Sequence, residues 1–388
     1  MHKIAQLVLF GTFFCLSGTS SSDEIFESMA TKSLLFWTPE QQLKGYPNIP
    51  LIFNTRKIQQ SKSVLKLPKS SMDLEDFSYV FEDKIHTFDD YFTQLNTAGL
   101  IVVKNGELIF ERYALGHSQD KTWISFSIAK SVVSMLYGAA IKDGYIQSID
   151  DRASKYLPSL RTGAYKNVTI KNILQMSSGV AWNEDYEDPG SDVASSPIKI
   201  LQLIDYMGRL DTKAKPGKRF NYNTGETNLA GAVLRAAIGN NLATYLHKKI
   251  WAPYGMESDA YWMLDEEDGV EYGGCCINAT LRDYARLGLF ALDNGKLSSG
   301  ERVLPAGWMD ESTSPSQGAN YYGYYWWLRQ NRVYRATGVF GQFIWIDPEQ
   351  QLVVAIHSAW DKAWREEHDD HTAALISNIS NQLNKKIL

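Results

Sequence analysis

Residues 125–144 read SFSIAKSVVSMLYGAAIKDG, a short polar start followed by a long apolar run that ends at a glycine. The apolar residues recur at the spacing of one helical face: Ile128, Val132, Met135, Leu136, Ala139 and Ala140. This pattern predicts a helix that stops at Gly144. At its start, Ser127 and Lys130 are three residues apart and therefore share a face.

By itself this S-x-x-K pattern is weak evidence of chemistry. The chain contains it four times, at Ser63, Ser118, Ser127 and Ser196. Only the copy at Ser127 opens an apolar helix, where free N–H groups favour a nearby negative charge. A buried lysine there could accept the serine proton, although lowering its pKa from about 10.4 towards 7 costs roughly 4 to 5 kcal/mol. The alternative interpretation is that Ser125 or Ser127 caps the helix while Lys130 points to solvent.

Composition excludes several classes of protein. The 388 residues are 44% hydrophobic and 21% charged, which is ordinary for a globular protein. The formal charge of -5 comes from 39 basic and 44 acidic residues without a long block of either sign. Nothing in this pattern favours nucleic acid or an anionic membrane as a partner.

The first residues, 1–22, resemble a secretory signal peptide. A short basic start precedes an apolar run from Ile4 to Leu16, which is too short for a stable membrane span; a membrane anchor is the alternative. We therefore expect a secreted or periplasmic protein. Without this segment only Cys275 and Cys276 remain, and neighbouring cysteines can close only a strained ring, which excludes a stapling disulfide framework. The sequence leaves open whether this pair is oxidised.

The order of elements indicates an α+β fold. Two β-rich runs around Asn105-Gly106 predict an early hairpin, the middle of the chain is mostly helical, and strand character returns in YYGYYWWLR, RVYRATG, QFIWID and QLVVAIHSA. A last helix is expected from about Thr372 to Lys386. We predict a sheet formed by both chain ends with a helical insertion. The expected units are a signal peptide (1–22), an N-terminal arm (23–75), a sheet domain (76–150 and 296–388) and a helical domain (151–295).

Two other motifs could in principle mark a functional site. GHSQD at 116–120 nearly matches the nucleophile elbow G-x-S-x-G, but Asp120 stands where a small residue is needed, so His117 is interpreted as a surface turn residue. HDDH at 368–371 offers potential metal ligands, yet Asp370 or His371 is better explained as part of the capped start of the last helix. No metal and no cofactor is expected.

Three stretches in order give the chain a family resemblance. After SFSIAK, Tyr222 stands before a helix in GKRFNYNTGETNLAG, and Thr337-Gly338 lies in RATGVFGQFIWIDPEQQLVVA. These motifs, with LQMSSGVAW and GGCCINATLRDYARLG, resemble the serine β-lactamase and penicillin-recognising superfamily. Class C β-lactamases, class VIII esterases and 6-aminohexanoate-dimer hydrolases are the members most similar. The resemblance spans roughly residues 30 to 385.

The resemblance implies a fold and a reaction. The fold would be a five-stranded antiparallel sheet flanked by helices, with a helical domain inserted. Ser127 would attack a carbonyl, Lys130 and Tyr222 would move the proton, and water would release the acyl group. The oxyanion would lie between the N–H groups of Ser127 and Val339, just past Gly338.

The chain departs from the family pattern at two positions. Thr224 stands where the usual Tyr-x-Asn motif has asparagine, which resembles the amide-hydrolase branch, and Ala336 replaces the lysine or histidine of the third motif. Because that basic residue helps to bind a carboxylate, its absence favours a small neutral ester or amide as substrate. Candidate substrate contacts are Thr337, Gly338, Tyr186 and Asp192, with exposed loop residues as the alternative for the last two. Trp326 and Trp327 could wall an apolar acyl pocket, although strand packing is the commoner explanation, and Asn278 is a candidate for support behind the substrate contacts.

We therefore expect a serine hydrolase, preferentially an esterase. An amidase of the 6-aminohexanoate-oligomer type is the close alternative, and a penicillin-binding or β-lactamase-like protein with little turnover is another. The natural substrate, the stereochemical preference and the oligomeric state are left open.

Overall fold

The computed structural model describes residues 21–385. The predicted signal segment lies outside the described residues except for its last two positions, so export remains a prediction. The α-helices are α1 (Ser21–Ala30), α2 (Pro39–Gly45), α3 (Ile49–Ile52), α4 (Phe88–Gln94), α5 (Ile128–Lys142), α6 (Ile170–Leu174), α7 (Asp192–Ser195), α8 (Ile200–Gly208), α9 (Thr224–Ile238), α10 (Leu242–Leu246), α11 (Ala252–Tyr254), α12 (Leu281–Leu292), α13 (Trp308–Ser312) and α14 (Glu366–Lys385). Within the described range, no helix is both long and apolar enough to cross a membrane.

The strands come mainly from the early and late parts of the described chain. They are β1 (Thr55–Ile58), β2 (Ser78–Phe81), β3 (Lys84–Thr87), β4 (Thr97–Lys104), β5 (Glu107–Tyr113), β6 (Trp123–Ile124), β7 (Ala260–Met263), β8 (Ile277–Ala279), β9 (Trp327–Leu328), β10 (Tyr334–Gly338), β11 (Gln342–Asp347) and β12 (Leu352–Ser358). The predicted early hairpin is β4 and β5, with Asn105 at φ 53° and Gly106 at φ 79° in its turn.

The central sheet is antiparallel and has six strands in the order β5-β4-β12-β11-β10-β9. Five were expected. The sixth is β9, in which only Trp327 and Leu328 of the predicted YYGYYWWLR strand pair with β10. The other residues of that run do not pair with β10, and their aromatic side chains pack against one another and the core. The structure thus has the mixed α/β character that the sequence predicts, with a larger sheet.

A second, four-stranded sheet has the order β1-β7-β8-β6 and was not expected from the sequence. Its strands are two to four residues long, too short to give a clear alternating pattern. Strand β6 pairs with β8 and ends three residues before Ser127. This sheet therefore fixes the direction from which the chain enters α5.

Helix α5 is the centre of the larger apolar core. It ends at Lys142, followed by Gly144 at φ 81°, as the sequence predicts. Residues 128–140 are all buried. A helix that is apolar on every side must be surrounded, and α5 packs against both α9 and β10.

Two local expectations were wrong. Helix α14 begins at Glu366, six residues before the expected start, because its first turns carry charged and aromatic partners: Asp369 pairs with Arg335, and His371 bonds with the Tyr79 hydroxyl at 2.6 Å. The capped start predicted at 370–371 is therefore interior helix. His117 is also not a surface residue; it is 7% exposed, with Nε2 3.1 Å from His357 Nδ1.

Candidate active site

Ser127 lies at the start of α5, directly after a tight turn. Ser125 continues the β6 strand, since its N–H donates to Ile277 O at 2.8 Å and its hydroxyl accepts from Ile277 N at 2.9 Å. Phe126 then adopts φ 44°, a conformation that non-glycine residues rarely take and that is often found at functional sites. The Ser127 side chain makes no helix-capping hydrogen bond, and the Ser125 hydroxyl donates to Phe126 O. The capping alternative is therefore wrong.

Lys130 is buried, with 1% of its surface exposed. Its ammonium donates to Ser127 Oγ at 2.7 Å, to Gly274 O at 2.9 Å and to Thr224 Oγ1 at 3.0 Å. Burial lowers the pKa of Lys130 to about 8, although the carboxylate of Glu184 works in the opposite direction. The lysine is thus joined to the serine and is easier to deprotonate than an ordinary lysine.

Tyr222 lies just before α9, opposite Lys130. The Asn223 side chain caps this helix by accepting from Glu226 N at 2.8 Å. The Tyr222 ring centre is 5.1 Å from Lys130 Nζ, and the ring stacks on Trp327 at 5.4 Å. Burial, followed by the nearby Glu184, raises the pKa of Tyr222, whereas a hydrogen bond with Ser127 lowers it. The hydroxyl therefore stays protonated at neutral pH.

Strand β10 runs close beside the turn that carries the serine. A Cβ at Gly338 would lie 2.3 Å from Ser125 O, so only glycine permits this approach. Ser127 and Val339 both border the same cavity, and neither backbone N–H donates to another of the described residues. Thr337 Oγ1 is buried without a hydrogen-bond partner in residues 21–385 and lies outside the cavity wall.

The cavity has a volume of about 780 Å³ and also borders Thr224 and Tyr186. About half of its lining residues are apolar, among them Leu34, Leu35, Pro50, Leu51, Ile52, Phe53, Val193, Ala194, Ile198, Met263 and Leu264. Two charged residues line it, Lys32 and Asp265. The Asp265 carboxylate is occupied, since it accepts from Ile200 N at 2.9 Å and from Val270 N at 2.7 Å.

The remaining predicted residues do not line the cavity. Asp192 does not line it; its carboxylate accepts from Asn183 N at 2.7 Å and from the Tyr206 hydroxyl, which holds the adjoining loop. Asn278 is buried in β8 behind the cavity, with Nδ2 donating to Tyr261 O at 3.3 Å. Ala336 is fully buried in the core around α5. Trp326 is likewise a core residue.

Sequence reasoning missed Glu184. Its carboxylate accepts hydrogen bonds from the Trp182 indole, from the Tyr186 hydroxyl at 2.7 Å, from Thr224 N at 2.9 Å and from the Thr224 hydroxyl. It therefore links the loop containing Tyr186 to the start of α9. The only sequence signal was an acidic residue two places before Tyr186.

The oxidation state of the adjacent cysteines could not be predicted from the sequence. Cys275 and Cys276 are joined by a disulfide, and both line the cavity. Cys276 adopts φ 87°, and the preceding Gly274 supplies the carbonyl that Lys130 contacts. No group of three or more His, Cys, Asp or Glu side chains in residues 21–385 is placed to hold a metal ion.

The architecture is that of β-lactamase-like proteins. The structure described as "Putative 6-aminohexanoate-dimer hydrolase from Bacillus anthracis" superposes with a TM-score of 0.79 at 23% identity, covering 92% of this chain and 99% of that one. A family VIII carboxylesterase has a TM-score of 0.58 at 16% identity, covering 75% and 95% of the two chains. An octameric penicillin-binding protein homologue from Pyrococcus abyssi has a TM-score of 0.59 at 18% identity, covering 74% and 75%.

Sequence comparison gives the family. The Beta-lactamase family model matches residues 87–378, so this chain belongs to that family, within the superfamily of serine β-lactamases and penicillin-binding proteins. The chain is also 25% identical over 290 residues to the 6-aminohexanoate-dimer hydrolase of Paenarthrobacter ureafaciens, covering 68% of this chain and 73% of that protein. The resemblance inferred from the three motifs is confirmed.

Proposed function

We propose that this protein is a serine hydrolase that cleaves uncharged esters or amides through an acyl-enzyme on Ser127. The observation that carries the proposal is the 2.7 Å contact between Ser127 Oγ and Lys130 Nζ, an amine that burial makes easier to deprotonate. Serine needs such a proton acceptor to become a nucleophile. The family membership and its hydrolase relatives support the same reaction class.

The reaction follows from the positions of these groups. Neutral Lys130 takes the proton as Ser127 Oγ attacks the carbonyl carbon, and the N–H groups of Ser127 and Val339 stabilise the resulting oxyanion. The ester or amide bond then breaks, and Tyr222, protonated at neutral pH, passes a proton to the leaving group and regains one from Lys130. Water hydrolyses the acyl-enzyme by the same steps in reverse.

The cavity supports an uncharged, apolar acyl group. Apolar side chains form about half of its wall, and Ala336 places no charge where relatives of the β-lactamase type carry a basic residue. Two charged side chains, Lys32 and Asp265, also line the wall, and the Asp265 carboxylate already accepts from two backbone N–H groups. A neutral acyl chain loses little on entering such a site and gains from burial.

A linear amide is the second candidate substrate. Its support is the 25% identity to the 6-aminohexanoate-dimer hydrolase, together with Tyr186, which lines the cavity as Thr224 does. Both candidate substrates require the same nucleophile, so they differ in the substrate tested and not in the mechanism.

The experiment compares substrates and two serines. Wild-type protein is assayed with p-nitrophenyl esters, an uncharged linear amide, the zwitterionic 6-aminohexanoate dimer and nitrocefin, and is labelled with a fluorophosphonate. Ser127→Ala should abolish turnover and labelling. Ser118→Ala is the matched control, because the Ser118 hydroxyl donates only to Asp120 at 2.5 Å, and it should change neither. Labelling that persists in Ser127→Ala, or lasting penicillin labelling without ester or amide turnover, would contradict the proposal.

A further inference from the structure

Glu184 collects an unusual number of hydrogen bonds for one side chain near the cavity. Four donors converge on its carboxylate: the Trp182 indole, the Tyr186 hydroxyl, and both the backbone N–H and the hydroxyl of Thr224. A carboxylate has about four lone-pair positions and, when ionised, can only accept. Its acceptor capacity is therefore filled, and the Thr224 hydroxyl proton is committed to it.

This commitment decides how Thr224 meets Lys130. Because the Thr224 proton points at Glu184, the hydroxyl oxygen can only accept from Lys130 Nζ, 3.0 Å away. Gly274 O, 2.9 Å from the same nitrogen, is a carbonyl and also can only accept. Two of the three partners of Lys130 thus require an N–H from it.

A neutral lysine amine has two N–H bonds and one lone pair. If its two N–H bonds point at Thr224 and Gly274, the lone pair is left for the third partner, Ser127 Oγ at 2.7 Å. That is the direction in which a general base must present its lone pair to take the serine proton. Without the commitment of the threonine proton, the Thr224 hydroxyl could donate to the amine and occupy the lone pair.

We propose that Glu184 is a positioning residue: by holding the hydroxyl proton of Thr224, it directs the lone pair of the Lys130 amine at Ser127. This inference rests on the proposed function, since it concerns the same nucleophile. It also explains the departure from Tyr-x-Asn. A threonine has one proton that a neighbouring carboxylate can hold, whereas an asparagine amide carries its own separate donor and acceptor.

The nearby charges support the same assignment. The titratable groups that face Lys130 are Tyr222, whose ring centre is 5.1 Å from Nζ, and Glu184, which acts to raise the lysine pKa. Glu226, in the first turn of α9, is bound to Tyr165 and Ser178 instead. Glu184 is thus the carboxylate whose removal should alter the ionisation of Lys130.

The first test changes Thr224. Thr224→Val keeps the shape of the side chain but removes the acceptor, so it should lower kcat by about 10- to 100-fold with KM within about twofold. Thr224→Ser keeps the hydroxyl and should remain within about threefold of wild-type kcat. Wild-type turnover in Thr224→Val, or equal loss in the serine and valine variants, would overturn the inference.

The second test is a double-mutant cycle. Glu184→Ala should lower kcat by about tenfold in the wild-type background and by less than about twofold in Thr224→Val, because it acts through Thr224. Equal losses in the two backgrounds would mean that Glu184 acts independently and would overturn the inference. If Glu184→Ala does not fold, the comparison of Thr224→Val with Thr224→Ser tests the inference by itself.

A pH profile separates positioning from simple support of the fold. Glu184→Gln removes the negative charge, so the acidic limb of kcat/KM, which reports Lys130, should move to lower pH. Lower activity with an unmoved limb would indicate a structural role only. Ser127→Ala keeps the failures distinguishable: if that variant retains activity, the proposed function fails, whereas if it is inactive and Thr224→Val is normal, only the positioning role fails.

Discussion

The ionisation of Lys130 should set the pH dependence of the reaction. Its pKa is lowered to about 8 by burial, and only the neutral amine can accept the Ser127 proton. We expect kcat/KM for an ester to rise roughly 100-fold between pH 6 and pH 9, because the neutral fraction increases about tenfold per pH unit below the pKa. The raised pKa of Tyr222 keeps that hydroxyl protonated through this range. Stopped-flow or initial-rate assays give the profile.

Spontaneous ester hydrolysis also increases with pH, so Ser127→Ala serves as the blank at each point. After subtraction, a profile that is flat from pH 6 to 9 would contradict Lys130 as the base.

At the level of single residues, the sequence identifies Ser127 and Lys130 because their S-x-x-K motif opens an apolar helix, and Tyr222 through the family resemblance. It does not identify Glu184. The loop WNEDYED contains several carboxylates, and nothing local distinguishes the one that reaches Thr224, 40 residues later in the chain. That choice depends on how the loop and α9 pack, which is long-range information.

Among the elements, the segment Gly274–Cys276 connects the disulfide to Lys130. Gly274 O accepts from Lys130, Gly274 N donates to Asn228 Oδ1 at 2.9 Å, and Cys276 holds a positive φ that is unfavourable outside glycine. Dithiothreitol would convert the disulfide to two thiols and become a cyclic disulfide itself. We expect kcat to fall several-fold, because Cys276 can relax and draw Gly274 O away from Lys130.

The control for this reduction is the variant Cys275→Ser/Cys276→Ser, which has no disulfide at this position and so reports any other effect of the reductant. It should have the low kcat with or without dithiothreitol. Unchanged turnover of the wild-type protein, with both thiols shown by alkylation and mass spectrometry, would refute the coupling.

Helix α9 carries a buried acid that should make folding stability depend on pH. Burial raises the pKa of Glu226 to about 8 from an ordinary 4.5, although Ser178 and Tyr165 hydrogen bonds oppose the shift. The folded protein therefore holds a proton that the unfolded chain loses above pH 4.5, so stability falls as pH rises from about 5 to 8. At pH 8, Glu226→Gln should be more stable than wild type by roughly 2 to 4 kcal/mol.

Urea unfolding of both proteins at pH 5 and pH 8 checks this prediction, because the advantage of Glu226→Gln should nearly vanish at pH 5. Tyr165→Phe, which removes one hydrogen bond to the carboxyl but no charge, is the comparison for simple loss of a contact. An equal difference between wild type and Glu226→Gln at both pH values would show that the carboxyl is ionised in the folded protein.

Elements could be predicted from sequence where their periodicity is long and were missed where it is short. Helix α5 and the β4–β5 hairpin have clear patterns and turn residues, and both are present. Strands β6 and β8 have two and three residues, so they form only because neighbouring strands pair with them. The start of α14 was placed too late because HDDH looks like a polar boundary, whereas Asp369 is paired with Arg335 in the fold.

At the scale of the whole molecule, the cavity is formed by parts of the chain that are distant in sequence. Ser127 and Val339 border it from the central core, Ile198 and Tyr272 from the middle of the chain, and Leu51 from the N-terminal region. No single stretch of sequence contains this wall, which is why the substrate preference could not be derived from motifs. The substrate preference therefore has to be measured on the folded protein.

The mouth of the cavity presents Leu51, which is 69% exposed. If an acyl chain extends along this wall, Leu51→Ser should lower kcat/KM for p-nitrophenyl octanoate by about fivefold, since partial burial of a leucine contributes roughly 1 kcal/mol. The acetate, too short to reach the mouth, should change by less than about twofold. Because the side chain is exposed, the substitution should leave stability nearly unchanged.

Ile85→Ser is the matched control: it is 76% exposed on β3 and outside the cavity wall, so it should affect neither ester. Equal effects of Leu51→Ser on octanoate and acetate would place the acyl chain elsewhere in the cavity.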